Sequence, residues 1–269
     1  MMPLGTAQGI LLRGAAARMK ESPPSIARCF DLEDVSRHAA EEFVRLANAA
    51  TASEGRFTIV LSGGSTPKSL YTLLASNTFR VRIPWEKVHL FWGDERCLPP
   101  DHADSNYRMV RESLLDHAPI PKENIHRMHG EDKDPAKEAT RYETTLRESF
   151  GLASGQLPRF DLILLGMGDD GHTASLFPHT AALSETKRLV VANYVEKFGT
   201  HRLTLTIPVI NHAAQVVFLI SGGAKAAVLK EVLEGKEDPQ RLPSQFIQPV
   251  TGKIQYIIDR AAGQELSQV

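Results

Sequence analysis

Asp169, Asp170 and His172 lie close together in the stretch Phe160 to Pro178, FDLILLGMGDDGHTASLFP. An imidazole with an unperturbed pKa of about 6.5 can take up or release a proton near neutrality. A carboxylate beside it can decide which ring nitrogen carries that proton, and both Asp170 and Asp94 are candidates. The residues around the trio say how it is held. Leu162 to Leu165 is a short apolar run without polar alternation, as in a strand buried on both faces of a parallel sheet. Gly166, Gly168 and Gly171 then allow a tight turn at the strand's carboxyl end. In open α/β sheets ligands bind at that edge.

Three further turns repeat the pattern. Phe57–Leu61 reads as a buried strand that runs into Ser62, Gly63, Gly64, Ser65 and Thr66, with Pro67 suited to the first turn of a helix. Free N–H groups at such a helix start, with hydroxyls around them, make an anion site. The Walker spacing is absent, so this is not a nucleoside triphosphate loop. Val88–Trp92 reads as a second strand, ending in Gly93, Asp94, Glu95 and Arg96. Gln215–Ile220 leads into SGGAK, which puts Lys225 in the first turn of a helix. A cation there opposes the helix dipole and points to an anion nearby. If these turns converge, they form one pocket.

The remaining elements support the same plan. Helical periodicity marks residues 31–50, 105–117, Pro135–Phe150 and 224–235. Strands are expected at 124–128, 188–193 and 253–258. Arg202 precedes an alternating run, Leu203, Leu205 and Ile207, and Pro208 opens a short helix. The tail from Gln264 is expected to fray. Strands alternating with helices predict one α/β domain over 26–269, a mostly parallel open sheet with helices on both faces. Residues 1–25, basic before Glu21, read as a disordered N-terminal extension.

The totals exclude several classes. Of 269 residues 42% are hydrophobic and 23% charged, which is ordinary globular composition. A net charge of -1 gives no general case for nucleic acid or a membrane surface. No apolar run approaches the roughly 20 residues that span a bilayer. Cys29 and Cys97 are far apart and match no metal spacing, which suits a reducing, cytoplasmic setting. His126 and His129 have no third ligand nearby, so no metal or other cofactor is expected. A monomer or small homo-oligomer is expected.

The stretch GMGDDGHTASLFP resembles the signature of the 6-phosphogluconolactonases. These belong to a broader sugar-phosphate family that includes the glucosamine-6-phosphate deaminases. SGGSTPKSLYTLLA, GDER with DHADSN, HRLTLTIPVINHA and SGGAKAAVLKEVLEG fit the same family in the same order, over roughly residues 30–260. The resemblance implies the family's Rossmann-like fold and hydrolysis of 6-phosphoglucono-δ-lactone, in the oxidative pentose phosphate pathway. It implies a phosphate loop at residues 62–66, with Arg202 and Lys225 on the phosphate. Asp94 corresponds to the proton-transfer aspartate of the deaminase relatives. His172 would activate water and later protonate the departing ring oxygen. Arg96, with backbone N–H groups, would stabilise the oxyanion. Ser175 lacks the G-x-S-x-G setting of a nucleophile. Two alternative readings are an amino-sugar phosphate deaminase/isomerase and a non-catalytic sugar-phosphate sensor. Deaminase relatives follow their DGH with an asparagine–glutamate pair, where this chain has Ser175, Leu176, Phe177 and Pro178. A transcriptional sensor would need a DNA-binding helix pair, but the first 50 residues show only one good helix.

Overall fold

The structure is a computed structural model that describes residues 24–267. The expected N-terminal extension therefore lies outside the described residues, apart from Pro24 and Ser25.

Seven strands form a wholly parallel sheet: β1 (Ser25–Cys29), β2 (Phe57–Leu61), β3 (Val88–Trp92), β5 (Ile125–His126), β6 (Leu162–Leu165), β9 (Gln215–Ile220) and β10 (Lys253–Asp259). Their order is β1-β10-β9-β6-β2-β3-β5. Every residue of β2, β6 and β9 is buried, as strands covered on both faces must be. The order runs outward from β2 through β3 to β5, then returns to β6 on the other side of β2. That reversal opens a crevice at the carboxyl ends of the central strands.

A second, antiparallel sheet contains β4 (Asp94–Arg96), β7 (Val190–Val195) and β8 (Thr200–Leu205) in the order β4-β8-β7. Gly93 joins the two sheets: its N–H donates to Leu61 O at 2.9 Å, and its carbonyl accepts from Leu205 N at 2.8 Å. From sequence alone residues 93–96 read as a loop. Three residues are too few for alternation to show, and their pairing comes from distant β8.

The helices are α1 (Leu32–Glu54), α2 (Ser65–Leu74), α3 (Asn77–Arg80), α4 (Asn106–Val110), α5 (Pro135–Phe150), α6 (Ile207–Ile210) and α7 (Ala226–Glu234). Asp31 caps α1 by accepting from Asp34 N at 3.0 Å. The helix expected over 105–117 is α4 followed by a π-helical stretch, Arg111–Leu115. The core continues from α1 into the sheet, with Phe43 edge-on to Phe57 at 5.4 Å. The tail departs from expectation as far as it is described. Leu266 is buried, and Ser267 donates from its N–H and hydroxyl to the Glu234 carboxylate at 2.7 and 2.9 Å.

Candidate active site

The turns after β9, β6, β2 and β3, four neighbouring strands, border one cleft of about 210 Å³. Its wall includes Ser62, Gly63, Gly64, Ser65 and Thr66, together with Asp94, Arg96, His172 and Lys225. Two predicted residues are not on the wall. Asp170 stands behind His172. Arg202 pairs with Arg96 across the β4–β8 ladder, and its guanidinium lies 5.2 Å from the Phe198 ring centroid. The resemblance implies Arg202 on the phosphate; here it is half-buried beside the wall residues Arg96 and Asp94.

The phosphate-loop candidate is built from the end of β2 and the start of α2. Gly64 precedes the helix at φ 107°, where a side chain would be strained. No side chain caps α2, so its first N–H groups keep their donor capacity for a ligand. Ser62 is buried, and among the described residues its hydroxyl has no hydrogen-bond partner. Its backbone is held instead by buried Tyr71, whose hydroxyl accepts from Ser62 N and donates to Ser62 O, each at 3.0 Å. Lys225 reaches the same cleft from the turn before α7 and pairs with Asp169 of the glycine-rich turn. Asp259, at the end of β10, braces that turn by accepting from Ser221 Oγ, Gly222 N and Ala262 N.

His172 is constrained on several sides. Its Nδ1 is bonded to Asp170 Oδ1, which also accepts from His172 N at 3.2 Å. Phe177 lies flat on the imidazole, with centroids 4.1 Å apart and planes at 24°. A Cβ on Gly168 would come within 2.0 Å of the ring, so only glycine leaves room for it. The hydrogen bond from His172 holds the Asp170 carboxyl well below the usual carboxylate range. With Nδ1 engaged and His172 on the cleft wall, Nε2 is the nitrogen available to a ligand. Ala174, also on the wall, adopts φ 48°, a left-handed conformation uncommon for a residue with a side chain.

The alternatives for the histidine's carboxylate thus separate. Asp170 takes Nδ1, whereas Asp94 accepts from Ser175 Oγ at 2.6 Å and from Asn106 Nδ2 at 3.3 Å. Asp94 is buried yet borders the cleft, and Ser175 serves it as a donor. Asn106 was missed as a site residue, although it ends the DHADSN motif. Its Nδ2 also donates to the Asp94 carbonyl at 2.9 Å. Glu95, deeply buried, gathers N–H groups from Arg96, Asn106 and Tyr107 at 2.7 to 2.8 Å, tying β4 to α4. Burial pushes its carboxyl up to about 7, against the pull of those three donors. Arg96 donates to the Asp104 carbonyl, which leaves guanidinium N–H groups for the cleft. Among the described residues no group of three or more His, Cys, Asp or Glu side chains could hold a metal.

Fold and cleft define the class: an open parallel α/β protein with a polar cleft at its switch point. Residues 31–256 match the family described as glucosamine-6-phosphate isomerases/6-phosphogluconolactonase. The 6-phosphogluconolactonase of Synechocystis sp. is 50% identical over 217 residues, which is 81% of this chain and 88% of that protein. The Haemophilus influenzae 6-phosphogluconolactonase is 40% identical over 206 residues, 76% of this chain and 85% of its own. The structure of 6-phosphogluconolactonase from Trypanosoma cruzi superposes with a TM-score of 0.80 at 31% identity, covering 91% of this chain and 97% of that one. A monomeric glucosamine-6-phosphate deaminase shares the fold, with a TM-score of 0.75 at 23% identity. The chain belongs to the glucosamine-6-phosphate isomerase/6-phosphogluconolactonase family.

Proposed function

We propose that the chain hydrolyses 6-phosphoglucono-δ-lactone to 6-phosphogluconate, a step of the oxidative pentose phosphate pathway. The observation that carries this reading is one cleft bordered by an imidazole oriented by a carboxylate, an uncapped helix start and a lysine. The phosphate sits against residues 62–66 and Lys225, where amide donors, the Ser62 hydroxyl and one cation meet it. The carboxylate at the deaminase position is missing, and that disfavours amino-sugar chemistry.

Neutral His172 Nε2 takes a proton from water, which attacks the lactone carbonyl at C1. Asp170 keeps the other proton on Nδ1 and stabilises the imidazolium that forms. Arg96 stabilises the developing oxyanion. As the tetrahedral intermediate collapses, the bond from C1 to the ring oxygen breaks. The imidazolium then gives its proton to that oxygen, leaving a carboxylic acid that ionises and a regenerated neutral histidine. No metal enters this scheme, so activity is expected to survive exhaustive EDTA treatment; loss on chelation with recovery on adding zinc would contradict it. Cys29 and Cys97 are both free thiols, which fits a reducing cytoplasm. No described helix is long and apolar enough to cross a membrane.

The test is a coupled assay in which glucose 6-phosphate is oxidised in situ. The lactone should disappear faster in proportion to added protein. A rate equal to spontaneous hydrolysis would overturn the proposal.

A further inference from the structure

The tip of the β7–β8 hairpin, residues 196–199, reaches the outer side of the His172–Asp170 pair. Lys197 Nζ lies 3.5 Å from Asp170 Oδ2, while Oδ1 of the same carboxylate is on His172 Nδ1. The next residue, Phe198, is 48% exposed and meets Phe177 edge-on at 5.6 Å. Phe177 in turn stacks on the imidazole. One solvent-facing hairpin tip therefore supports both the carboxylate and the ring stack of the same histidine. Lys197 Nζ also lies 5.6 Å from the Phe198 ring centroid, and the Arg202 guanidinium lies 5.2 Å from it.

We propose that Lys197 is a positioning residue for the reaction, holding Asp170 Oδ2 and offsetting its charge while Oδ1 holds His172 Nδ1. The inference rests on the general-base reading of His172. Other charges near the pair have their own partners or stand further off. Asp169, on the same turn, is paired with Lys225. Asp94 is bound by Ser175 and Asn106, and Arg96 by the Asp104 carbonyl. Arg202 lies over Phe198, and Glu196 on the hairpin is exposed. Among the described residues Lys197 is the lysine or arginine within ion-pair distance of Asp170.

The sign follows from Coulomb's law. Removing the ammonium leaves Asp170 less compensated, which stabilises imidazolium and moves the acid limb of activity to higher pH. At several ångströms in a water-like medium the expected displacement is about 0.3 to 0.5 of a pH unit. The experiment is kcat/KM against pH from 5 to 8 for wild type, Lys197→Met and Lys197→Arg, at low and at 0.5 M salt. Lys197→Met should move the acid limb upward at low salt, and the displacement should shrink at high salt because the pair is exposed. Lys197→Arg should restore the wild-type limb. An acid limb that stays put or moves downward in Lys197→Met overturns the proposal, as does failure of the arginine to restore it. His172→Ala, run alongside, separates the two readings. If it is inactive while Lys197→Met matches wild type, only the lysine proposal falls. If it turns over normally, the general-base reading falls first.

Discussion

At the scale of single residues the site depends on how tightly the His172 ring is enclosed. Gly168 is the clearest case, because a methyl group there would occupy the space of the imidazole edge. Gly168→Ala should therefore displace the ring and lower kcat by about a hundredfold, with a much smaller change in KM. Steady-state kinetics on a variant with wild-type circular dichroism checks this; unchanged kcat would show that the ring can yield without consequence. Asp170→Asn makes a related prediction. The amide cannot compensate an imidazolium and can hold the wrong tautomer, so kcat should fall by about a hundred- to ten-thousandfold. The carboxyl's depressed folded-state pKa means that its contribution to stability is complete above the usual aspartate value of about 4 and is lost only as pH falls below it. Across pH 5 to 8 Asp170 therefore stays ionised, and the prediction can be tested anywhere in that window.

At the scale of elements, predominantly apolar runs gave away β2, β3, β6 and β9, because central parallel strands are buried on both faces. The glycine-rich turns after them were legible for the same reason, and so were most wall residues. What escaped the sequence was set by contacts distant along the chain. Asp94 and Asp170 could not be told apart until β4 paired with β8 and carried Asp94 to Ser175. Arg202 was legible from its strand position, but only the antiparallel register pairs it with Arg96 of the wall. Short β5 supplies a prediction at this scale. His126 stacks on Phe91 at 4.4 Å and meets His89 at 3.4 Å between Nε2 and Nδ1. Burial first, then His89 and Arg56, push His126 down to about 4. The unfolded chain thus binds a proton that the folded chain resists between about pH 6.5 and 4, so stability should fall as pH drops through that window. His126→Phe keeps the stack and removes the titration, so its melting temperature should fall less between pH 6.5 and 4.5. Equal acid slopes for variant and wild type would exclude His126 as the source.

At the scale of the whole molecule, strand order brings together groups far apart in sequence. The phosphate candidates come from the turns after β2 and β9, and the proposed proton carrier from the turn after β6, which lies between them in the sheet. Binding energy at one end of the substrate can therefore orient C1 at the other. Lys225→Ala should raise KM strongly for the phosphorylated lactone and little for unphosphorylated gluconolactone. Arg202→Ala should have an effect of the same kind. Equal small effects on both lactones would remove the phosphate from this cleft. The central claim is that His172 Nε2 activates water in that cleft, and the most direct measurement is the turnover of 6-phosphoglucono-δ-lactone by His172→Ala beside wild type. The account predicts a folded protein that still binds the phosphorylated ligand and turns over about a hundred- to ten-thousandfold more slowly. Near-wild-type turnover by that folded variant would contradict it.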